Sequence, residues 1–317
     1  MVENKDYDVQ NPDKTVKEKI FSFLRDVLCG ALIGIAFIIP GFSGGSVAAI
    51  LGIYEKMISA IANVFKDMKK SILTLLPIGM GLIIGAVSLL FPLGWALSAY
   101  PLPTVSLFVG LAIGGMPSIT DKLGGRMTGK NIAALTVPLL LALMLSFIPT
   151  GSDVDLFSLT FSGYALLFFI GVLGSSALVI PGISGSMILL ILGYYNPIIK
   201  LITEHLFIGR DFLTCILVLG SCGAGIAVGF LLISIIMKKL LECYPRGTYF
   251  AITGFIVGSL PTVYISTMKD SGMLTSGFGI VYLPTSPIYW IACALLLALG
   301  IFLAYAFVRR MTKRDSE

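Results

Sequence analysis

The chain has 317 residues, of which 56% are hydrophobic and only 12% are charged, and its mean hydropathy is +0.96. These values lie far outside the range of soluble domains, so the composition predicts an all-α polytopic membrane protein. A net charge of +5 could suggest nucleic-acid binding, but the basic residues lie at the ends of apolar segments, which membrane topology explains better. We therefore expect no nucleic-acid partner.

The predicted elements occur in the same order in both halves of the chain. A polar N-terminal segment without a secretory signal is expected to remain as a cytoplasmic tail. Each half then has two short apolar stretches separated by a proline-glycine break, followed by three long spans. The predicted organisation is a tail at 1–23, a first repeat at 24–150 with spans 72–93, 103–117 and 131–149, a second repeat at 163–308 with spans 211–237, 248–265 and 286–308, and a C-terminal tail at 309–317.

The two halves also share sequence. The segment that begins at Gly30 aligns with the segment that begins at Gly171, an offset of 141 residues, and each contains Pro-Gly-x-Ser-Gly. After a three-residue insertion the offset becomes 144, where a Tyr-Pro pair at 100–101 aligns with one at 244–245. Aligned glycines in the following spans are interpreted as helix-packing contacts, namely Gly110, Gly114, Gly254 and Gly258.

The apolar stretches beside each break are short. Residues 24–39 and 42–53 would measure about 24 Å and about 18 Å as helices, whereas a bilayer core is about 30 Å thick. This length predicts a re-entrant helical hairpin at 24–53 and another at 163–195, each with its tip inside the membrane. Two ordinary helices kinked at proline are the alternative, and only length separates the two interpretations.

Charge placement predicts the topology. If both termini are cytoplasmic and each hairpin returns to its own side, 19 of the 22 basic residues fall on the cytoplasmic side. The three exceptions are Lys200, Arg210 and Lys269. The positive-inside rule favours this scheme. An odd number of crossings per repeat then gives the halves opposite orientations, as in many secondary transporters.

The two Pro-Gly-x-Ser-Gly breaks predict a binding site for an anion. Irregular backbone within a membrane must be buried in protein or line a wet cavity, and the first amides of a new helix have no intrahelical partner. Such amides, together with serine hydroxyls, suit a phosphate. The alternative is that the serines only cap helices and the glycines only allow close packing. The predicted site comprises Pro40, Gly41, Ser43, Gly44, Gly45, Ser46, Pro181, Gly182, Ser184, Gly185 and Ser186.

Few charged residues lie near the breaks. Glu55 directly follows the first hairpin and is a candidate for ion coupling, although an interfacial position explains it as well. Arg25 and Arg246 could attract a phosphate or could serve as interfacial anchors. The single histidine, His205, and the five cysteines form no metal-ligand cluster, so neither a metal nor a cofactor is predicted. The cysteines are expected to be small buried residues.

These motifs resemble the bacterial polyprenyl-phosphate transporter family. The resemblance rests on the segment from Gly34 to Glu55, on Val179-Ile-Pro-Gly-Ile-Ser-Gly-Ser-Met and on Gly254-Phe-Ile-Val-Gly-Ser-Leu-Pro, and it covers residues 24–308. The family more often has threonine where Ser46 stands, and Asn196 replaces an acid often seen in the second copy.

The resemblance implies a function. It implies a flippase of the bacterial plasma membrane that returns undecaprenyl phosphate from the outer to the cytoplasmic leaflet for cell-wall synthesis, with the paired breaks as the head-group site and with oligomers possible. Two other functions remain open from the residues, a small-anion transporter or channel and a membrane lipid phosphatase. A phosphatase would need converging acids, bases or nucleophiles, and four of the predicted spans contain no charged residue or histidine. We therefore expect no enzyme.

Overall fold

The computed structural model describes residues 16–39, 42–124, 127–205, 212–274 and 279–314. Within these ranges the chain is almost entirely α-helical, and six helices are long and apolar enough to cross a membrane. The number rises to eight if each of two sharply bent helix pairs counts as one span. The prediction of an all-α, multi-pass membrane protein is confirmed.

The first half consists of seven described helices. Their starts follow ordinary helix chemistry, because the carboxylate of Asp67 accepts a hydrogen bond from the amide of Lys70 at 3.1 Å, and Pro101 occupies the first turn of the next helix. The helices are α1 (Val16–Ile38), α2 (Gly44–Ile50), α3 (Tyr54–Ala62), α4 (Met68–Ala99), α5 (Pro101–Gly115), α6 (Pro117–Thr120) and α7 (Gly129–Leu145).

The second half has a similar series of helices. The proline of a Tyr-Pro pair again begins a helix, here Pro245 in the first turn of α12. Its helices are α8 (Phe161–Val179), α9 (Gly185–Ile191), α10 (Tyr195–Lys200), a π-helical turn (Leu201–His205), α11 (Phe212–Cys243), α12 (Pro245–Asp270) and α13 (Pro287–Arg314).

The arms of the first hairpin differ from their predicted lengths. Helix α1 begins at Val16 and has 23 residues, so it measures about 35 Å and could cross a bilayer core. Helix α2 has only seven residues, or about 10 Å. The length argument for a re-entrant hairpin therefore holds for the second arm and not for the first. The predicted span 131–149 is also shorter than expected, since α7 ends at Leu145.

Both second arms end in a sharp bend that the sequence did not reveal. The chain bends by 118° between α2 and α3, and by 108° between α9 and α10. Gly52 and Gly193 lie at these bends with φ of 73° and 77°, a left-handed conformation that side chains with a Cβ rarely adopt. The chain therefore changes direction sharply after each short arm.

Close helix pairs join the two halves. Helix α5 packs along α13 and α7 along α12, while within the halves α1 packs along α4 and α8 along α11. A Cβ added to Gly110 would lie 2.2 Å from the carbonyl oxygen of Leu297, and one added to Gly254 would lie 2.1 Å from that of Leu135. The aligned glycines are thus helix-packing residues, as predicted.

The hydrophobic core lies around the first hairpin. Its largest cluster joins α1, α2 and α3 to α5 and α12, and it includes Val179 at the end of α8. A second, smaller cluster joins α8 and α11 with Tyr194 and Leu156. The core therefore encloses the first break and reaches the start of the second.

Candidate functional site

The first break places two serine hydroxyls in the protein interior. Ser43 precedes α2 in an extended conformation, and Ser46 lies in its first turn. The two residues are 4% and 2% exposed, and neither hydroxyl oxygen has a hydrogen-bond partner among the described residues. Ser43 makes no side-chain capping bond, which contradicts the interpretation that it only caps α2. Pro40 and Gly41 lie outside the described residues.

The second break is buried as well. Pro181 and Gly182 are buried, and Gly182 has a φ of 90°, so its backbone conformation favours glycine. A Cβ at this position would lie 2.4 Å from the carbonyl carbon of Phe255, which shows that the break packs directly against α12. The hydroxyls of Ser184 and Ser186 lie 2.9 Å apart and hydrogen-bond to each other.

The first amides of the short helices add donors at both breaks. Among the described residues, no backbone carbonyl accepts from the amides of Gly44 and Gly45, or from those of Gly185 and Ser186. Helices α2 and α9 have only seven residues each. Individual amides and hydroxyls, rather than a long helix dipole, are therefore the groups that could bind an anion here.

A buried hydrogen bond links the two hairpins. The hydroxyl of Tyr54, at the start of α3, donates to the carbonyl oxygen of Val179 at 2.9 Å. Tyr54 is 2% exposed, and Val179 lies two residues before Pro181. Helix α2 also contacts α8. The structure thus brings the first hairpin against the arm that leads into the second break.

The two hairpins are buried to different extents. In α2, every residue except Val47 is buried, and α3 contributes further buried side chains. In α9 only Gly185 is buried, and α10 has no buried residue. The apolar side chains of α9 are half-buried, so the second hairpin is the more accessible of the two.

Glu55, in the first turn of α3, forms hydrogen bonds with other residues of the protein. The ammonium of Lys122 donates to Glu55 at 2.8 Å and to the hydroxyl of Tyr249 at 2.7 Å, and that hydroxyl also donates to Glu55. Lys122 further lies 4.8 Å from the centre of the Tyr249 ring. This cluster connects α3, the segment after α6, and α12, and it was not predicted because its members are far apart in sequence.

Arg246 also has a structural role. Its Nε donates to the carbonyl oxygen of Leu123 at 2.8 Å, and its guanidinium lies 5.9 Å from the centre of the Phe250 ring. It thereby attaches the segment after α6 to α12. These contacts do not decide between the two predicted roles of Arg246, an interfacial anchor and a residue that attracts phosphate.

Arg25 belongs to a charge cluster that the sequence did not reveal. The ammonium of Lys56 lies 2.5 Å from a carboxylate oxygen of Asp26, and these residues are 7% and 3% exposed. The Nε of Arg25 lies 4.0 Å from the other oxygen of Asp26. Lys56 was counted among the basic residues at the cytoplasmic end, but its side chain is buried. The sequence offered no clear signal for this, because Lys56 directly follows Glu55.

The structure also describes the cysteines. Cys29, Cys215 and Cys222 are buried as expected, while Cys293 is half-buried and Cys243 is exposed at the end of α11. Across the described parts of the chain, no three residues of the types His, Cys, Asp or Glu lie close enough to hold a metal ion.

Comparison with known proteins shows which family the chain belongs to. The profile of the undecaprenyl phosphate translocase-like family matches residues 33–278. The chain belongs to this family. The matched range covers both breaks and most of both halves, and the resemblance inferred from the twin motifs is confirmed.

Two curated proteins that are similar to this chain are named as transporters. A polyprenyl-phosphate transporter of Staphylococcus aureus is 28% identical over 246 residues, which cover 75% of this chain and 85% of the relative. A polyprenyl-phosphate transporter of Vibrio cholerae is 27% identical over 270 residues, covering 78% of this chain and 79% of the relative. No solved structure matches the chain significantly. Family and relatives together identify a membrane transporter.

Proposed function

We propose that this protein is a flippase that moves undecaprenyl phosphate from the outer to the cytoplasmic leaflet of the bacterial plasma membrane. The phosphate would bind between the two breaks, at the hydroxyls of Ser43, Ser46, Ser184 and Ser186 and at the neighbouring backbone amides. The long polyprenyl tail would remain in the lipid. Only the head group then has to cross the apolar core, and the protein has to supply hydrogen bonds to one anion.

The observation that carries this proposal is the pair of unpartnered hydroxyls at the first break. Burying a hydroxyl without a hydrogen bond costs free energy, on the order of 1–3 kcal/mol from mutational data. Ser43 and Ser46 both lie in this unfavourable state within one turn of helix. A bound phosphate oxygen would satisfy both groups, because it accepts hydrogen bonds that the surrounding apolar side chains do not.

Contacts at the helix ends support the proposed topology with two inverted repeats and both termini in the cytoplasm. Lys269 donates to the carbonyl oxygen of Ser146 at 3.0 Å, and the predicted scheme places both residues at the outer face. Lys238 donates to Asn63 at 2.9 Å, and the scheme places both at the cytoplasmic face. The packing of α5 along α13 and of α7 along α12 fits the same arrangement. In the sequence repeat α5 corresponds to α12 and α7 to α13, so the two helix pairs correspond to each other.

The unequal burial of the hairpins supports entry of the lipid from the outer side. The second hairpin would open toward the outer leaflet, and its half-buried α9 leaves the break reachable from lipid. The first hairpin would face the cytoplasm, where the hydrogen-bonded cluster of Glu55, Lys122 and Tyr249 would close it. The structure then corresponds to the state that receives undecaprenyl phosphate.

Transport of labelled undecaprenyl phosphate in reconstituted vesicles tests the proposal. A hydrogen bond to a charged group contributes about 1.5–3 kcal/mol, so we expect Ser43→Ala or Ser46→Ala to weaken lipid binding by about tenfold to a hundredfold. Ser98→Ala is the matched control, because this exposed hydroxyl donates to the carbonyl oxygen of Gly94 in its own helix.

Two results would overturn the flippase. If the purified protein moves a small anion such as chloride but never changes the leaflet of the lipid, it is a small-anion transporter or channel. If it releases inorganic phosphate from a polyprenyl pyrophosphate or phosphate, it is a lipid phosphatase. The effects of Ser43→Ala and Ser46→Ala would then concern the binding of a different ligand.

A further inference from the structure

The ion pair of Asp26 and Lys56 is buried where charged groups are rarely found. The side chains of Lys56 and Asp26 are 7% and 4% exposed, whereas those of Lys122 and Glu55 are 41% and 28% exposed. Ionisable residues inside a membrane protein are costly and usually serve the transported ion or substrate. The Glu55 pair lies at an accessible helix end and needs no such explanation.

The pair is incompletely satisfied. One oxygen of Asp26, Oδ1, is buried and has no hydrogen-bond partner among the described residues. The Lys56 ammonium has three donors, and the bond to Asp26 is the one that the structure describes for it. Two donors of this buried cation are therefore available for a second anion to bind first, before the bond to Asp26 is exchanged.

The surroundings of Lys56 also favour an anion. The Nε of Arg25 lies 4.0 Å from Oδ1 of Asp26, the oxygen that has no hydrogen-bond partner among the described residues. Around them lie apolar residues of the core, among them Cys29, which is 0% exposed. An ammonium in apolar surroundings attracts an anion more strongly than the same group at a wet surface.

The pair also lies on the cytoplasmic side of the proposed binding site. Lys56 is in the first turn of α3, directly after the short arm α2 that starts at Ser43. Helix α2 is about 10 Å long, so Lys56 follows the first break at about that distance along the chain. A head group that leaves the break toward the cytoplasm would meet Lys56 next.

From these observations we infer that Lys56 is a second phosphate-binding residue on the exit path, and that Asp26 occupies it until the lipid arrives. The phosphate takes the place of the Asp26 carboxylate at the Lys56 ammonium. The carboxylate returns when the lipid leaves, which favours release into the cytoplasmic leaflet. This inference rests on the proposed function, because it assigns an exit site to the same lipid phosphate.

The isosteric variant Asp26→Asn separates this role from a purely structural one. It removes the competing charge and leaves the cation, so we expect labelled undecaprenyl phosphate in nanodiscs to bind at least about tenfold more tightly, with slower release from vesicles. A structural ion pair predicts the opposite, since a lysine without its partner destabilises the fold and does not improve binding.

A double variant keeps the test decisive if Asp26→Asn does not fold. Asp26→Leu combined with Lys56→Met removes both charges with little change in volume, a replacement that buried ion pairs often tolerate. We expect this protein to fold and to transport at least about tenfold more slowly than wild type. Glu242→Gln is the control, because it breaks a partly exposed ion pair with Lys238 at the end of α11 and leaves the bond of Lys238 to Asn63 in place.

The outcomes are distinct from those that test the proposed function. If wild-type protein does not move the lipid, the proposed function fails. A second case is that the wild-type protein moves the lipid while the double variant moves it equally fast, or while Asp26→Asn binds it no more tightly. Either result would refute the exit site and leave the proposed flippase function intact.

Discussion

Replacing Gly81 by alanine should separate α4 from α1 and disturb the first hairpin. The new Cβ would lie 1.9 Å from the carbonyl oxygen of Val27, whereas ordinary van der Waals contact begins at 3.4 Å. The helices must move apart by about 1.5 Å, or the backbone must deform, and overpacking of this kind costs about 1–3 kcal/mol. The better helix propensity of alanine offsets about 1 kcal/mol of that cost. We expect a net loss of stability of up to about 2 kcal/mol.

Gly79→Ala is the matched control in the same helix. A Cβ at Gly79 would meet nothing within 4 Å, so only the propensity term remains. We expect this variant to be more stable by about 0.5–1 kcal/mol. Equilibrium unfolding of both variants in mixed micelles gives the two changes, which should have opposite signs.

The comparison also has a functional consequence. Val27 adjoins Asp26, so a displaced α1 would shift the Asp26–Lys56 pair, and transport by Gly81→Ala should fall while that of Gly79→Ala is unchanged. If both alanine variants have the same stability, the close approach of α1 and α4 is not what positions the first hairpin, and the packing argument is refuted.

Two further predictions concern contacts of the first hairpin. Tyr54→Phe leaves the Val179 carbonyl without its donor and should lower the free energy of unfolding by about 1–2 kcal/mol. Tyr195→Phe, the aligned change in the half-buried second hairpin, should have no measurable effect, and an equal loss in both would show that the link between hairpins is not the cause. Lys122→Met breaks the partly exposed pair with Glu55 and should cost less than about 1 kcal/mol, an effect that high salt reduces. A larger, salt-independent loss in unfolding measurements would contradict the interpretation of Glu55 as an interfacial residue at an accessible helix end.

Much of the architecture could be predicted because a membrane restricts the possible structures. Apolar runs without charges must form helices in lipid, so the all-α class and most spans followed from hydropathy. The repeat was visible in aligned motifs, and the packing role of Gly110 and Gly254 followed from their spacing in apolar helices. The breaks themselves followed from proline and glycine, which interrupt helices by removing a donor and by allowing unusual backbone conformations.

Other features depend on contacts between residues that are distant in sequence. The sequence could not show that α1 extends back to Val16, because the first turns of this helix mix charged and apolar residues and are mostly exposed, so hydropathy does not mark where the helix begins. It also placed Lys56 at an accessible helix end, since a basic residue near the end of an apolar segment usually marks topology. Only the bend after α2 turns this lysine inward toward Asp26.

The sequence by itself determined that the chain spans a membrane with two breaks of one kind, because hydropathy and backbone chemistry act locally. The tertiary structure decided which groups meet there. It buried Ser43 and Ser46 without partners, joined Tyr54 to Val179, and paired Asp26 with Lys56. The reason is physical, since a hydrogen bond or an ion pair between helices depends on how their faces are rotated and packed, and no local pattern encodes that.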